Sequence, residues 1–131
     1  MSKETEQIKS AKDLRVYKRA YALAMEIFNL SKDWPSEEKY SLTDQIRRSS
    51  RSVCTNLRES WAKRRYEAHF ISKLTDADGE NSETATWLDF ALDCAYIDPA
   101  DHKRFTEENR AVGSMLGAML SNPHPFLTRK Q

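Results

Sequence analysis

The segment Tyr66–Tyr96, YEAHFISKLTDADGENSETATWLDFALDCAY, decides the fold class. Its residues Phe70, Leu74, Ala77, Asn81, Thr84, Leu88, Leu92 and Ala95 recur at spacings of 4 and 3, the period that lays one stripe along an α-helix. A second stripe, Trp87, Phe90, Cys94 and Ile97, runs only through the C-terminal half, and the first half of that face carries His69, Asp76, Glu80 and Glu83 instead. One side of this helix is therefore acidic at one end and aromatic at the other. Gly79 interrupts it at a cost of about 1 kcal/mol relative to Ala, and marks a bend or a close approach.

Downstream, Asp98-Pro99 reads as an N-cap followed by Pro at the first helical position, with Asp101 in the first turn. The helix it opens turns Phe105, Val112, Leu116, Met119 and Leu120 inward, with Gly113 and Gly117 admitting a neighbouring backbone. It stops before Asn122-Pro123-His124-Pro125, and residues 122–131 form a tail in which Phe126 and Leu127 dock. Upstream, Ser41-Leu42-Thr43-Asp44 reads as a capping box, and the stripe behind it is Leu42, Ile46, Ser49, Val53, Asn56 with Leu57, and Ser60. That core is thin, because small polar groups dilute it. Ser31–Tyr40, with Trp34-Pro35, connects it to a first helix that starts after Asp13 as N-cap. On this first helix the polar residues fill an arc of only about 100°, leaving an apolar arc about twice as wide as one buried face needs. Either the helix sits between several others or it also supplies a subunit contact; the second is expected, through Val16, Ala20, Leu23 and Ile27, together with Trp87, Phe90 and Cys94.

The expected fold is all-α, an antiparallel up-down four-helix bundle over residues 13–121 that assembles into a ring oligomer, preceded by a disordered arm over 1–12. Composition agrees. In 131 residues there are only 3 Gly and 4 Pro, too few for a turn-rich all-β fold, and 31% charged residues against 39% hydrophobic ones suit a helical protein in water. No apolar run approaches the roughly 20 residues that span a bilayer, so no membrane is expected, and Met1–Lys12 has no apolar signal-like core. A cytoplasmic location follows, in which Cys54 and Cys94, forming no Cys-x-x-Cys, stay reduced.

The near-neutral total of +1 hides a segregation of charge. From Tyr40 to Arg65 seven basic residues (Arg47, Arg48, Arg51, Arg58, Lys63, Arg64, Arg65) face two acidic ones, and from Tyr66 to Asp101 one basic residue faces nine acidic ones. Arg47, Arg51, Arg58 and Arg65 fall within roughly 40° of one another opposite the core stripe, a ridge about 27 Å long. A row of guanidiniums suits a phosphate backbone, through charge neutralisation and bidentate hydrogen bonds. The ridge equally suits the acidic face of the third helix, in the same chain or a neighbour, or an acidic protein partner. Only Trp61 lies near it to stack a base.

Catalytic and metal signatures are not seen. There is no Glu-x-x-His of the di-iron bundles, no calcium-loop spacing at Asp76-Ala77-Asp78-Gly79, no Gly-rich phosphate loop, and no His at helical spacing from either cysteine. Neither an enzymatic activity nor a cofactor or metal is expected.

Three segments carry a family resemblance: Asp13-Leu14-Arg15-Val16-Tyr17-Lys18-Arg19-Ala20; Leu42-Thr43-Asp44-Gln45-Ile46-Arg47-Arg48-Ser49 running into Ser52-Val53-Cys54-Thr55-Asn56-Leu57-Arg58-Glu59; and Glu83-Thr84-Ala85-Thr86-Trp87-Leu88-Asp89-Phe90-Ala91 with Tyr96-Ile97. In this order they resemble the bacterial four-helix bundle family named for proteins encoded in 23S ribosomal RNA intervening sequences, over roughly Asp13 to Leu120. Where that family commonly has Pro and then Asn-Ile-Ala-Glu-Gly, this chain has Cys54 and then Asn56-Leu57-Arg58-Glu59-Ser60, so a helix kink from Pro and Gly is not expected. The resemblance implies a ring, commonly a homopentamer, with no established enzymatic activity. The family is also similar to the accessory protein of diversity-generating retroelements, a basic pentamer that engages nucleic acid and a reverse transcriptase, which favours RNA or DNA as the partner of the ridge.

Overall fold

In a computed structural model that describes residues 8–128, the described residues form four long helices and no strand. These are α1 (Arg15–Leu30), α2 (Leu42–Ala62), α3 (Glu67–Asp93) and α4 (Pro99–Ser121). Each packs on the next in sequence, and α1 also packs on α4. Short 3-10 turns fill the connections: Ala11–Asp13, Ser31–Asp33, Ser36–Glu38 and His124–Phe126. No helix among the described residues is long and apolar enough to cross a membrane.

The ends of the helices follow local chemistry, with some departures from expectation. Asp98 caps α4 as read, its Oδ1 accepting from the Asp101 amide at 2.7 Å. Asp13, by contrast, caps the preceding 3-10 turn: its Oδ2 accepts from the amides of Lys9 (2.9 Å) and Ser10 (3.1 Å), bonds that hold its carboxyl below the usual range. The N-cap of α1 is Leu14, anchored in the core rather than by a polar side chain. Residues 1–7 of the expected arm lie outside the described residues, and its end is ordered, since Ala11 is buried and Ile8 packs on the core. The Ser41 side chain makes no capping bond either; Glu38 takes its place, reaching the Leu42 amide (3.4 Å) with one oxygen and the Tyr96 hydroxyl (2.7 Å) with the other. That second bond raises the Tyr96 pKa to about 12 and ties the α1–α2 connection to the end of α3.

The third helix ends at Asp93, before the expected Tyr96. Ala95 takes φ 62°, and the amides of Ala95 and Tyr96 bond back to the carbonyls of Leu92 and Ala91, both at 2.9 Å. This is a Schellman stop with alanine where glycine is usual. Ala95 therefore lies exposed beyond the helix, and after Leu88 the buried stripe continues through Ala91, while Leu92, expected there, is half-buried.

Two apolar clusters make up the core. One gathers Leu14, Val16, Val53, Leu57, Phe70, Leu74, Val112 and Leu116; the other Ile27, Trp34, Ile46, Leu88, Ile97 and Phe105. Between them on each of α2, α3 and α4 stand buried polar groups, so the dilution read in α2 is part of a layer shared by three of the four helices. Ser49 and Thr84 share a 2.8 Å hydroxyl bond. Asn81 and Asn109 bond reciprocally, each side-chain amide donating to the other's backbone carbonyl at 2.9 Å. Gly113 faces this pair, and a Cβ there would sit 3.3 Å from Asn81 Nδ2. A Cβ at Gly79 or Gly117 would meet nothing within 4 Å, so neither marks a close approach. The tail docks as read: Phe126 stacks on Phe70 at 6.3 Å and Leu127 is buried, while residues 129–131 lie outside the described residues.

Candidate nucleic-acid interface

The seven basic residues singled out in the sequence do not behave as one surface. Arg47 is half-buried: its Nε donates to Ser31 Oγ at 2.8 Å, Nη2 reaches the Phe28 carbonyl at 3.4 Å, and the guanidinium lies 4.8 Å from the centre of the Phe28 ring. It sits on the C-terminal end of α1, where a positive charge meets the carbonyls and the negative end of the helix dipole. Arg64 is likewise committed, 3.8 Å over Trp61 with Nη1 donating to that residue's carbonyl at 2.7 Å, and burial draws its pKa down. Arg47 thus ties α2 to α1, and Arg64 folds back on the end of α2. Arg48, Arg51, Arg58, Lys63 and Arg65 are exposed.

The ridge also points differently from the sequence reading. Since α1 packs along one flank of α2, its aromatic side chains reach under the arginines: Arg51 lies 5.5 Å over Phe28, and Arg58 Nη1 is 3.5 Å from the Tyr17 hydroxyl. Arg51 and Arg58 thus border a groove between α1 and α2, of about 490 Å³, with Tyr17, Tyr21, Ala24 and Met25 on one side and Cys54, Thr55 and Glu59 on the other. Arg65, further along, lies 5.7 Å over Tyr66. Sequence reading found the arginines but not the groove, because the apolar arc of α1 gave no sign of which flank would face them.

No ion pair among the described residues joins the ridge to the acidic face of α3. Among the described residues, Arg51, Arg58, Lys63 and Arg65 have no carboxylate oxygen within 4.0 Å; Arg48 touches Asp44 at 4.0 Å, an exposed pair of little worth. Arg48 acts on Glu80 only through its field, and Lys73 pairs with Glu59 (2.8 Å) and Asp76 (3.8 Å). That contact lowers the pKa of Glu59 and raises that of Lys73. Glu80 goes up, through burial and then through the crowding of Glu83 and Asp76. Glu83 accepts from Trp87 Nε1 at 3.2 Å.

The subunit-contact residues expected on α1 need correction. Val16, Ala20, Leu23 and Ile27 are buried within the single chain, because α1 lies against both α2 and α4 and spends its wide apolar arc on two internal contacts. Arg19 fastens it to Glu108 (2.9 Å) and Glu26 to Arg104 on the α4 side. What α1 leaves outside is Tyr21, 53% exposed, and Met25, 44%. Phe90 on α3 and Cys94 just past its end are exposed, and Trp87, half-buried, lies 5.9 Å from Phe90.

No cluster that could hold a metal ion occurs among the described residues: His69 lies against Tyr66 (5.5 Å), and His102 bonds Asp89 at 2.8 Å. Cys54 is buried, which pushes its thiol up to about 11 and keeps it protonated at neutral pH.

Comparison with known proteins gives a family and a fold. Residues 12–118 match the family described as 23S rRNA-intervening sequence protein, the one the sequence resembles. A crystal structure of a protein of unknown function from the S23 ribosomal protein family of Bacteroides thetaiotaomicron superposes with a TM-score of 0.74 at 28% identity, covering 82% of this chain and 96% of that one. A comparison with curated proteins finds no match.

Proposed function

Because this chain belongs to the 23S rRNA-intervening sequence protein family, we propose that it is a non-catalytic cytoplasmic protein, a ring of identical up-down bundles, commonly five, whose second helix holds the phosphate backbone of RNA or DNA. The observation that carries the reading is the state of Arg51, Arg58, Lys63 and Arg65: four exposed cations on one stretch of chain, with no carboxylate within 4.0 Å among the described residues. Antiparallel order is supported by the contacts between helices. Arg47 meets Ser31 and Arg58 meets Tyr17, Ser49 meets Thr84 and Glu59 meets Lys73, so numbers rise along one helix as they fall along its neighbour. The ring is supported by the exposed Phe90 beside Trp87 and Cys94, an aromatic patch that a second subunit would cover.

A gel shift with mixed-sequence RNA at low salt tests the binding. The wild type retards the probe and Arg51→Glu with Arg58→Glu does not; absence of any shift by the wild type would end the nucleic-acid reading. Light scattering tests the ring, which a 15.2 kDa particle would refute. A second reading, a scaffold or protein-interaction module whose ridge binds acidic protein surface, is favoured by the gathering of Asp76, Glu80 and Glu83 on one face of α3, where burial and then the charges of Glu83 and Asp76 raise the Glu80 pKa against an offset from Arg48. The ridge of one subunit could meet that face on another.

A further inference from the structure

The groove beside the ridge has a shape that phosphate binding alone does not require. One wall is a stripe of α1 residues one turn apart, Tyr17, Tyr21 and Met25; the other carries Arg51 and Arg58 of α2, two turns apart and so separated by about 10 Å along the helix. Tyr17 and Tyr21 are 6.1 Å apart with planes tilted by 32°. Tyr17 is buried and fixed, while Tyr21 and Met25 leave large apolar surfaces in contact with water at the groove mouth. The volume, about 490 Å³, is that of a site for a small organic group. Its acidic member, Glu59, has its charge offset by Lys73 at 2.8 Å, so the field at the rim is set by the two arginines.

A largely apolar slot between two guanidiniums with no carboxylate within 4.0 Å among the described residues matches an aromatic ring with an anion on either side of it. We propose that the groove between α1 and α2 seats one unstacked base of a single-stranded nucleic acid, against Tyr21 and Met25, with the flanking phosphates held by Arg51 and Arg58. This rests on the phosphate-binding reading of the ridge and adds strand specificity to it. A duplex can offer phosphates to the ridge but must give up a base pair to fill the groove. Single strands present bases freely, and stacking on an aromatic side chain is tolerant of sequence. Thus the protein prefers single strands, without strong sequence preference.

The test is fluorescence anisotropy with a labelled single-stranded RNA and its blunt-ended duplex of equal length, for wild type, Tyr21→Ala, Met25→Glu and Arg51→Glu. Tyr21 and Met25 are exposed, so their replacement leaves the fold in place, which thermal melts confirm. The expected result is tighter binding of the single strand, an approximately tenfold loss with Tyr21→Ala that largely removes the preference, and an unchanged salt dependence, because no phosphate contact is lost. Met25→Glu, which places a carboxylate in the slot, weakens binding as well. Equal binding of both probes with no effect of Tyr21→Ala overturns the groove and leaves the ridge. No binding of either probe overturns both.

Discussion

Gly113→Ala should reverse its sign with the residue opposite it. In an ordinary helix interior this change stabilises by about 1 kcal/mol, because alanine loses less backbone entropy and exposes less backbone. At Gly113 the new methyl would lie 3.3 Å from Asn81 Nδ2, too close unless the amide moves by a few tenths of an ångström. That amide is not free to move: it donates to the Asn109 carbonyl at 2.9 Å, while Asn109 Nδ2 donates back to the Asn81 carbonyl and to Oδ1 at 2.9 and 3.1 Å. Breaking this buried arrangement leaves donors or acceptors unpaired, at about 1–3 kcal/mol. Set against the helix gain, Gly113→Ala is destabilising by about 0–2 kcal/mol in the wild type. With Asn81→Ala the obstruction is gone and the same change stabilises by about 1 kcal/mol, so the coupling between the two sites is about 1–3 kcal/mol. Gly117→Ala, which meets nothing within 4 Å, is the internal control and stabilises in both backgrounds. Urea unfolding at one fixed protein concentration measures all of these, the concentration being held because assembly would contribute to stability. If Gly113→Ala stabilises the wild type as much as the Asn81→Ala background, the asparagine pair does not hold the α3–α4 contact as described.

Arg47→Ala costs about 1–2 kcal/mol in urea unfolding, losing the Ser31 bond and the charge on the α1 carbonyls, whereas Arg51→Ala stays within about 0.5 kcal/mol; equal effects would deny the division of the ridge. Ala95→Gly raises stability by about 1 kcal/mol, since only the alanine is strained at φ 62°, and a loss on that substitution would argue against the Schellman stop. Glu59 has a folded pKa below its ordinary value, so its pairing stabilises the fold above pH 4.5 and that contribution is lost as pH falls through the folded pKa. Acid titrations of Glu59→Gln should accordingly show a shallower loss of stability below pH 4.5 than the wild type, and identical curves would count against the Lys73 contact.

Much of the fold was legible because its signals are local. The 4-and-3 spacing through Phe70, Leu74, Ala77 and Leu88 fixes a helix wherever it packs, and Asp98-Pro99 fixes a helix start within its own first turn. Asp13 and Ser41 misled because a cap is a competition among neighbours: Asp13 serves the start of its own 3-10 turn, and Glu38, three residues upstream of Ser41, reaches the α2 amide. Asn109 escaped notice as a core residue because its partner is 28 residues away on another helix. The basic residues were identified, but whether each guanidinium is free depends on what α1 places beneath it. Sequence periodicity says that Phe28 and Tyr17 are apolar or aromatic on α1 and nothing of their approach to Arg47, Arg51 and Arg58. The same gap made Val16, Ala20, Leu23 and Ile27 look open to a second subunit, when two neighbouring helices of the same chain bury them.

The most direct test of the central claim is the salt dependence of binding to a short single-stranded RNA. Three to five phosphate contacts from Arg51, Arg58 and Arg65, with or without Arg48 and Lys63, give a log K against log[salt] slope of about −2 to −3.5. Removing two contacts with Arg51→Glu and Arg58→Glu flattens it by about 1.4 or more. A slope near zero, or a slope that the double substitution leaves unchanged, would contradict the assignment of the α2 ridge to nucleic-acid phosphates.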